Sequence, residues 1–233
     1  MQYFGGKARV GKKLMEYLSA QRKPGQAWIE PFCGGLWMTY LAGGPRKASD
    51  ANKALITLYQ YTQKGWQPPE EVSEELYQEL KAKQDSTDPR TAFVGFGCSF
   101  SGKWYGGYAR NSKGFNYAAS AKRSLLKKMV QCKDVLFIHA DYKDALLNAP
   151  KDSMVYLDPP YAHTTGYGAT GSFDSGQFWG IVRKVSEEHD VYISEYSAPP
   201  DFKCVLEVQT KTDIRNKSGI KEPRIERLFK YGG

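Results

Sequence analysis

Four consecutive apolar residues, Met154-Val155-Tyr156-Leu157, run without polar alternation into Asp158-Pro159-Pro160-Tyr161. A short continuous apolar run bounded by proline reads as a buried strand. It opens into a loop at its carboxyl end, the edge at which ligands bind in open α/β sheets. The prolines stiffen the backbone and donate no hydrogen bond. They leave the Asp158 carboxylate and nearby carbonyls as a row of acceptors beside the flat ring of Tyr161. A row of acceptors next to a stacking face suits a planar amine such as the exocyclic N6 of adenine.

The rest of the chain supplies strands and helices in alternation. Ala27-Trp28-Ile29 reads as a strand running into the turn Glu30-Pro31-Phe32-Cys33-Gly34-Gly35, and an apolar helical pattern resumes over 36–41. Residues 46–50 read as a short strand ending in Asp50, 52–64 as a helix with Leu55, Leu58, Tyr59 and Thr62 on one face, and 70–84 as a charged amphipathic helix. Residues 85–89 read as a turn. The stretch 97–117 is too rich in glycine and serine for a regular helix and reads as a loop or hairpin. A helix is expected over 120–131, a strand over 135–139, a short helix over 142–147 and the Met154–Leu157 strand after it. The glycine-rich stretch 162–173 reads as a mobile loop. Phe178, Ile181, Val182 and Val185 mark a helix over 175–188, and 191–194, 204–208 and 225–229 read as three further strands. The alternation predicts a Rossmann-like, mainly parallel sheet with flanking helices. Residues 66–133 interrupt it and read as an inserted helical and loop domain, leaving 1–65 and 134–233 as the sheet domain.

That insertion also carries the charge. Of the net +8, nine cations (Arg90, Lys103, Arg110, Lys113, Lys122, Arg123, Lys127, Lys128, Lys133) fall between Pro89 and Lys133 with no Asp or Glu among them, and the rest of the chain is close to neutral. The same segment holds Phe93, Phe96, Phe100, Trp104, Tyr105, Tyr108, Phe115 and Tyr117. Cations for phosphates with aromatics between them predict a nucleic-acid surface. No apolar stretch approaches the roughly 20 residues of a membrane span, and the N-terminus has no signal-peptide core. The four cysteines are scattered, so neither a disulfide framework nor a metal site is indicated. A reduced, cytoplasmic setting is the default expectation, and a monomer is expected.

Asp50 stands 20 residues after Glu30, at the end of the next strand. In that geometry a carboxylate accepts hydrogen bonds from the ribose hydroxyls of an adenosine. The turn is not G-x-G-x-x-G, so an adenosine ligand without a pyrophosphate, S-adenosylmethionine, suits it better than a dinucleotide. Gly6 to Lys12 matches G-x-x-x-x-G-K, but Lys13 stands where Ser or Thr should hold magnesium, and too few residues precede Gly6 to form the required strand. His163 is read as a loop residue and not as a general base.

Together these pieces resemble the Dam-type (D12 class) DNA adenine-N6 methyltransferases over nearly the whole chain. Tyr3-Phe4-Gly5-Gly6-Lys7 is similar to the family's N-terminal motif, Glu30 to Gly35 to its E-P-F-x-G-G cofactor turn, and Ser49-Asp50 to its second-strand acid. His139-Ala140-Asp141-Tyr142 is similar to the motif before the catalytic strand, and Asp158 to Tyr161 to the catalytic tetrapeptide. Ser194-Glu195-Tyr196 departs from the family's Ser-Asn. The resemblance implies a class I methyltransferase fold using S-adenosylmethionine. It implies that Tyr3, Lys7, Asp50 and Asp158 touch the cofactor, with Glu30, Phe32, Cys33, Gly34 and Gly35 forming the turn around its methionine end and Tyr142 beside its adenine. Asp158, Pro159, Pro160 and Tyr161 would be catalytic, acting on an adenine flipped out of double-stranded DNA. The insertion falls where the family keeps its target-recognition region. Lys103, Trp104, Tyr105, Arg110, Asn111, Lys113, Lys122 and Arg123 are its candidates for DNA contact, with Arg110 and Asn111 as base readers. The alternatives are a cytosine-N4 or RNA-adenine methyltransferase, a glutamine methyltransferase acting on protein, and a non-catalytic DNA-binding protein on the same fold.

Overall fold

The computed structural model describes residues 1–112, 114–160, 173–210 and 224–232. In chain order the elements are α1 (Gly11–Gln21), β1 (Trp28–Glu30), β2 (Arg46–Asp50), α2 (Lys53–Gln63), α3 (Glu74–Lys83), α4 (Pro89–Gly97) and α5 (Tyr117–Met129). They continue with β3 (Leu136–His139), α6 (Tyr142–Leu147), β4 (Met154–Leu157), α7 (Ser175–Val185), β5 (Asp190–Glu195), β6 (Phe202–Thr210) and β7 (Arg224–Tyr231).

Among the described residues the strands form one seven-stranded sheet in the order β3-β2-β1-β4-β5-β7-β6. The first five in that order pair in parallel, and β7 runs antiparallel between β5 and β6. The chain leaves β1 toward β2 on one side, while β4 lies on the other, with Trp28 and Ile29 opposite Met154 and Val155. The order therefore reverses between β1 and β4, which opens a crevice at their carboxyl ends. Four neighbouring strands finish there on acids: Asp50 on β2, Glu30 on β1, Asp158 just past β4 and Glu195 on β5.

Both faces of the sheet are covered, which is why β4 reads as unbroken apolar sequence. Trp28, Met154, Tyr156 and Tyr192 turn toward Leu14 and Leu18 of α1. Ile29, Val155, Leu157, Val191 and Ile193 turn toward Phe178 and Val182 of α7. Each such side chain contributes about 1.5–3 kcal/mol when fully buried. A third cluster joins Leu55 and Leu58 of α2 to Phe93 of α4, Leu125 of α5 and Phe137 of β3. Residues 66–133 thus pack onto α2 and the β3 side of the sheet through a shared cluster, rather than enclosing a core of their own.

Side-chain caps set the helix starts. Asn52, Ser73, Asp88, Asn116, Asp141 and Asp174 each accept a backbone N–H at the head of α2 to α7 in turn. The caps explain several departures from the sequence reading. α3 begins at Glu74, not 70, because Ser73 caps it, and α5 begins at Tyr117, not 120, because Asn116 does. α4 occupies part of the aromatic stretch, with Asp88 as its cap and Pro89 in its first turn. α1 is not anticipated by the sequence reading at all. The helix expected over 36–41 is instead a set of turns, since Leu36 sits at φ 58° and cannot open a right-handed helix. The loop at 162–173 falls, but for Phe173, outside the described residues. The 97–117 stretch closes as an irregular hairpin through a bridge between Ser99 and Tyr108. β6 is interrupted by a register shift between Cys204 and Leu206.

Candidate active site

One cleft at the carboxyl ends of the strands gathers residues from five separate motifs of the sequence. Tyr3, Gly6 and Lys7 come from the N-terminus, Glu30 to Gly35 from the turn after β1, and Asp50 from β2. Tyr142 comes from α6, and Asp158 and Pro160 from beyond β4.

Lys7 lies at its centre. Its ammonium is 2.6 Å from Asp158 Oδ1 and 3.4 Å from Glu226 on β7, and the side chain is only 4% exposed. Burial works against that charge, but the two carboxylates outweigh it, so the Lys7 pKa rises above its ordinary value. Lys7 is thereby held as a cation and Asp158 faces a fixed positive charge.

The turn after β1 is held from several sides. Gly34 N–H donates to Asp50 Oδ2 at 3.0 Å, and Asn52 N–H donates to Asp50 Oδ1 at 2.9 Å. The Asp50 carboxyl is raised by burial and lowered by those two amides and by His139, with burial the larger effect. The Tyr59 hydroxyl donates to the Gly34 carbonyl. Tyr3 lies against the glycines: a Cβ on Gly34 or on Gly35 would come within 2.8 Å of it. Gly34 also sits at φ 41°, where a side chain is strained. The Phe32 ring stacks on Tyr142 at 5.3 Å, so the aromatic pair forms one wall.

Glu30 faces the core as well as the cleft. Its Oε2 accepts from Trp28 Nε1 at 3.2 Å and from the Thr39 hydroxyl. Burial pushes its pKa up to about 8, with the nearby Asp158 charge adding to the rise and the hydrogen bonds from Thr39 and Trp28 opposing it. Cys33 is fully covered and burial holds its thiol protonated, which removes it as a nucleophile.

The basic aromatic segment is placed differently from its composition. Phe93, Phe96 and Tyr105 are core residues, and the Tyr105 hydroxyl donates to the Thr91 carbonyl at 3.0 Å. The expectation of Tyr105 as a DNA-facing ring is corrected by that burial. Trp104 belongs to the cleft, its ring 4.8 Å from Phe96, which lies 4.6 Å from Tyr3. Lys103 extends from the same loop over the Phe4 ring at 4.8 Å, and Phe4 N–H donates to Gly102 O at 3.0 Å. Arg110 pairs with Glu74 and Lys122 with Glu70, while Arg123 is exposed on α5. Asn111 braces its own loop through the Phe115 backbone. Lys113 and Tyr161 lie outside the described residues. Phe100 and Phe115 are the aromatics of this segment that present large exposed surfaces.

Sequence reasoning missed Trp37, Phe96, Asn52 and Glu226. Trp37 and Asn52 adjoin motifs already singled out, so proximity was an available signal. Phe96 and Glu226 arrive from distant segments and carried none. Among the described residues there is no cluster of three or more metal-ligating side chains, and no helix is long and apolar enough to cross a membrane.

A mainly parallel sheet of this strand order, with one antiparallel strand inserted near its edge and a glycine turn and carboxylates at its switch point, is a Rossmann-like α/β fold with its cleft where such folds bind ligands. The family model of the D12 class N6 adenine-specific DNA methyltransferases matches residues 3–96 and 98–199, and the chain belongs to that family. Solved structures similar to it include TrmN from Thermus thermophilus, at 12% identity and TM-score 0.41 over 94% of this chain and 47% of that one. Precorrin 8W decarboxylase from Methanobacterium thermoautotrophicum matches at 11% identity and TM-score 0.43, over 95% of this chain and 90% of that one. Precorrin-6y C5,15-methyltransferase from Geobacter metallireducens GS-15 matches at 10% identity and TM-score 0.42, over 99% and 93%. The chain thus spans about half the length of TrmN. A comparison with curated proteins finds no significant match.

Proposed function

We propose that this protein transfers a methyl group from S-adenosylmethionine to N6 of an adenine extruded from double-stranded DNA. The observation that carries this reading is the Lys7–Asp158 pair, set at the end of β4 in one cleft with the Phe32 to Gly35 turn, Asp50 and Tyr142.

The cleft's residues fit the cofactor. Gly34 and Gly35 have no room for a side chain on the Tyr3 side, so bare backbone lines the pocket there. Asp50 is a strand-end carboxylate of the kind that accepts from ribose hydroxyls. The Phe32–Tyr142 wall suits the face of a purine. When bound, S-adenosylmethionine supplies an electrophilic methyl carbon on a cationic sulfur.

Adenine N6 is a weak nucleophile because its lone pair is delocalised into the ring. The Asp158 carboxylate and the Pro159 carbonyl accept the N6–H bonds, localise that lone pair and aim it at the methyl carbon; the N–C bond forms as the S–C bond breaks, and the surplus N6 proton passes to solvent. Lys7 holds the Asp158 carboxylate in place through the 2.6 Å contact. Catalysis rests on positioning and electrostatics, with no covalent enzyme intermediate. Extruding the base costs a few kcal/mol, and stacking on Tyr161 returns about 1–3 kcal/mol. Residues 66–133 serve as the target-recognition region, with Lys103, Arg110, Lys113, Lys122 and Arg123 meeting phosphates.

Incubation of the pure protein with tritiated S-adenosylmethionine and duplex DNA, followed by sequencing with modification detection, tests this. Label at N6 of adenine in one sequence context is the expected result. Label at cytosine, or in RNA alone, would replace the substrate, and no transfer to any nucleic acid would end the proposal.

A further inference from the structure

Lys128, on α5 of the insertion, is 4% exposed, yet among the described residues it has no ion-pair partner. Lysine is almost never buried to this degree unless paired. Its ammonium instead donates to the carbonyl of Gly35 and lies 3.5 Å from the centre of the Trp37 ring, with Tyr40 at 5.9 Å. The first contact is to the cofactor turn itself, and the second is to a side chain two residues past it. Gly35 closes the Phe32 to Gly35 segment, and Trp37 fills the space beside Gly6 and Gly35, where a Cβ would approach its ring nitrogen to 2.6 Å and 3.1 Å. One cation from the insertion therefore pins the last carbonyl of the turn and the indole that spaces the turn from the N-terminal motif. Tyr59 holds the preceding carbonyl, Gly34 O, from α2.

A buried unpaired charge is costly, and an apolar residue of similar length is often as stable or more so. A position filled by packing alone would thus favour methionine or leucine.

We propose that Lys128 is a positioning residue that fixes the cofactor turn from the insertion and so ties the affinity for S-adenosylmethionine to the seating of α5. This rests on the methyltransferase reading above and adds a residue to it.

Burial lowers the Lys128 pKa to about 7, with the Cys132 and Glu30 side chains opposing the fall. Of the groups that face it, Glu30 comes from β1, Cys132 from the turn after α5, and the α-amino group of Met1 from the chain start. The clamp accordingly loses its proton within the working range of an enzyme. As pH rises through about 7 the ammonium becomes an amine, the hold on the Trp37 face goes, and the donor to Gly35 O weakens.

The test is calorimetric titration of S-adenosylmethionine into the full chain, its Lys128→Met and its Lys128→Arg variants, with thermal melts of each. The expected result is a fall in affinity on the order of tenfold for Lys128→Met, the loss of one charge-assisted hydrogen bond. Its melting temperature should be unchanged or higher, and Lys128→Arg should recover part of the affinity. The ratio of wild-type to Lys128→Met affinity should shrink as pH is raised from about 6 to about 8.5. Equal affinities for the wild type and Lys128→Met overturn the proposal. A loss matched by a drop in melting temperature, with a ratio flat in pH, does so too by reducing Lys128 to a packing residue. Should Lys128→Met fail to fold, the Lys128→Arg titration and the wild-type pH profile still decide. A wild-type chain that binds no S-adenosylmethionine defeats the methyltransferase reading itself, a result distinct from either.

Discussion

The Lys7 ammonium lies 2.6 Å from a carboxylate oxygen of Asp158, although 151 residues separate the two in sequence. The pair joins the N-terminal motif to the loop after the central strand, and the Asp158 carboxylate helps to hold the buried Lys7 as a cation.

Asp158→Ala should lower methyl transfer by about 10³-fold or more, with duplex binding largely intact, since positioned electrostatic groups are typically worth that much. Tritium transfer and anisotropy titrations measure the two separately. Lys7→Met leaves the carboxylate without its buried cation and should cost about 3 kcal/mol in chemical denaturation. In a double-mutant cycle the two changes should be strongly non-additive. Simple additivity would mean that the pair contributes nothing.

Glu30→Gln tests the buried acid. Its carboxyl titrates near 8 in the fold against 4.5 in the unfolded chain. Between those values the native state binds more protons than the unfolded one, so its contribution to stability declines as pH rises through that window. The glutamine variant should match the wild type near pH 5 and exceed it by on the order of 1–3 kcal/mol near pH 8. Parallel stability curves for the two proteins would remove Glu30 as the titrating group.

Gly34→Ala places a methyl within 2.8 Å of the Tyr3 ring at φ 41°. Strain of this kind costs of order 1–3 kcal/mol, and the Tyr3 ring must shift in the cleft. Affinity for S-adenosylmethionine should fall by roughly tenfold or more, read by calorimetry. Gly43→Ala, where a Cβ meets nothing, is the control.

Neutralising Lys103, Arg110 and Lys113 together should reduce the slope of log affinity against log salt by about 3, near 0.9 for each phosphate that is no longer neutralised. Anisotropy at several salt concentrations measures it. An unaltered slope would show that these cations do not meet the backbone of the nucleic acid.

Much of the sheet was readable because its signals are local. Met154 to Leu157 is buried on both faces and stopped by proline, so both its limits appear in the sequence. The 142–147 helix was equally plain and begins at its Asp141 cap. What failed was long-range or ambiguous. Phe93, Phe96 and Tyr105 read as surface aromatics because composition does not distinguish a ring that stacks on a ligand from one that fills a core. The 36–41 pattern looked helical until Leu36 is seen at positive φ. The gathering of Lys7, Asp50 and Asp158 was approachable through motif order. The approach of Glu226 to Lys7, and of Lys128 to the Gly35 carbonyl, was not, since neither carries a local signal.

The outer strand of the sheet bears on how the molecule behaves in concentrated solution. β6 is nine residues long and pairs on one side with β7. A long, regular free margin would invite a foreign strand to dock. The irregularity between Cys204 and Leu206 breaks the repeat of its backbone groups, and Lys203 and Glu207 stand exposed on either side of the break. A second polypeptide meets a kinked and charged border there, which disfavours strand-by-strand aggregation during purification and long assays.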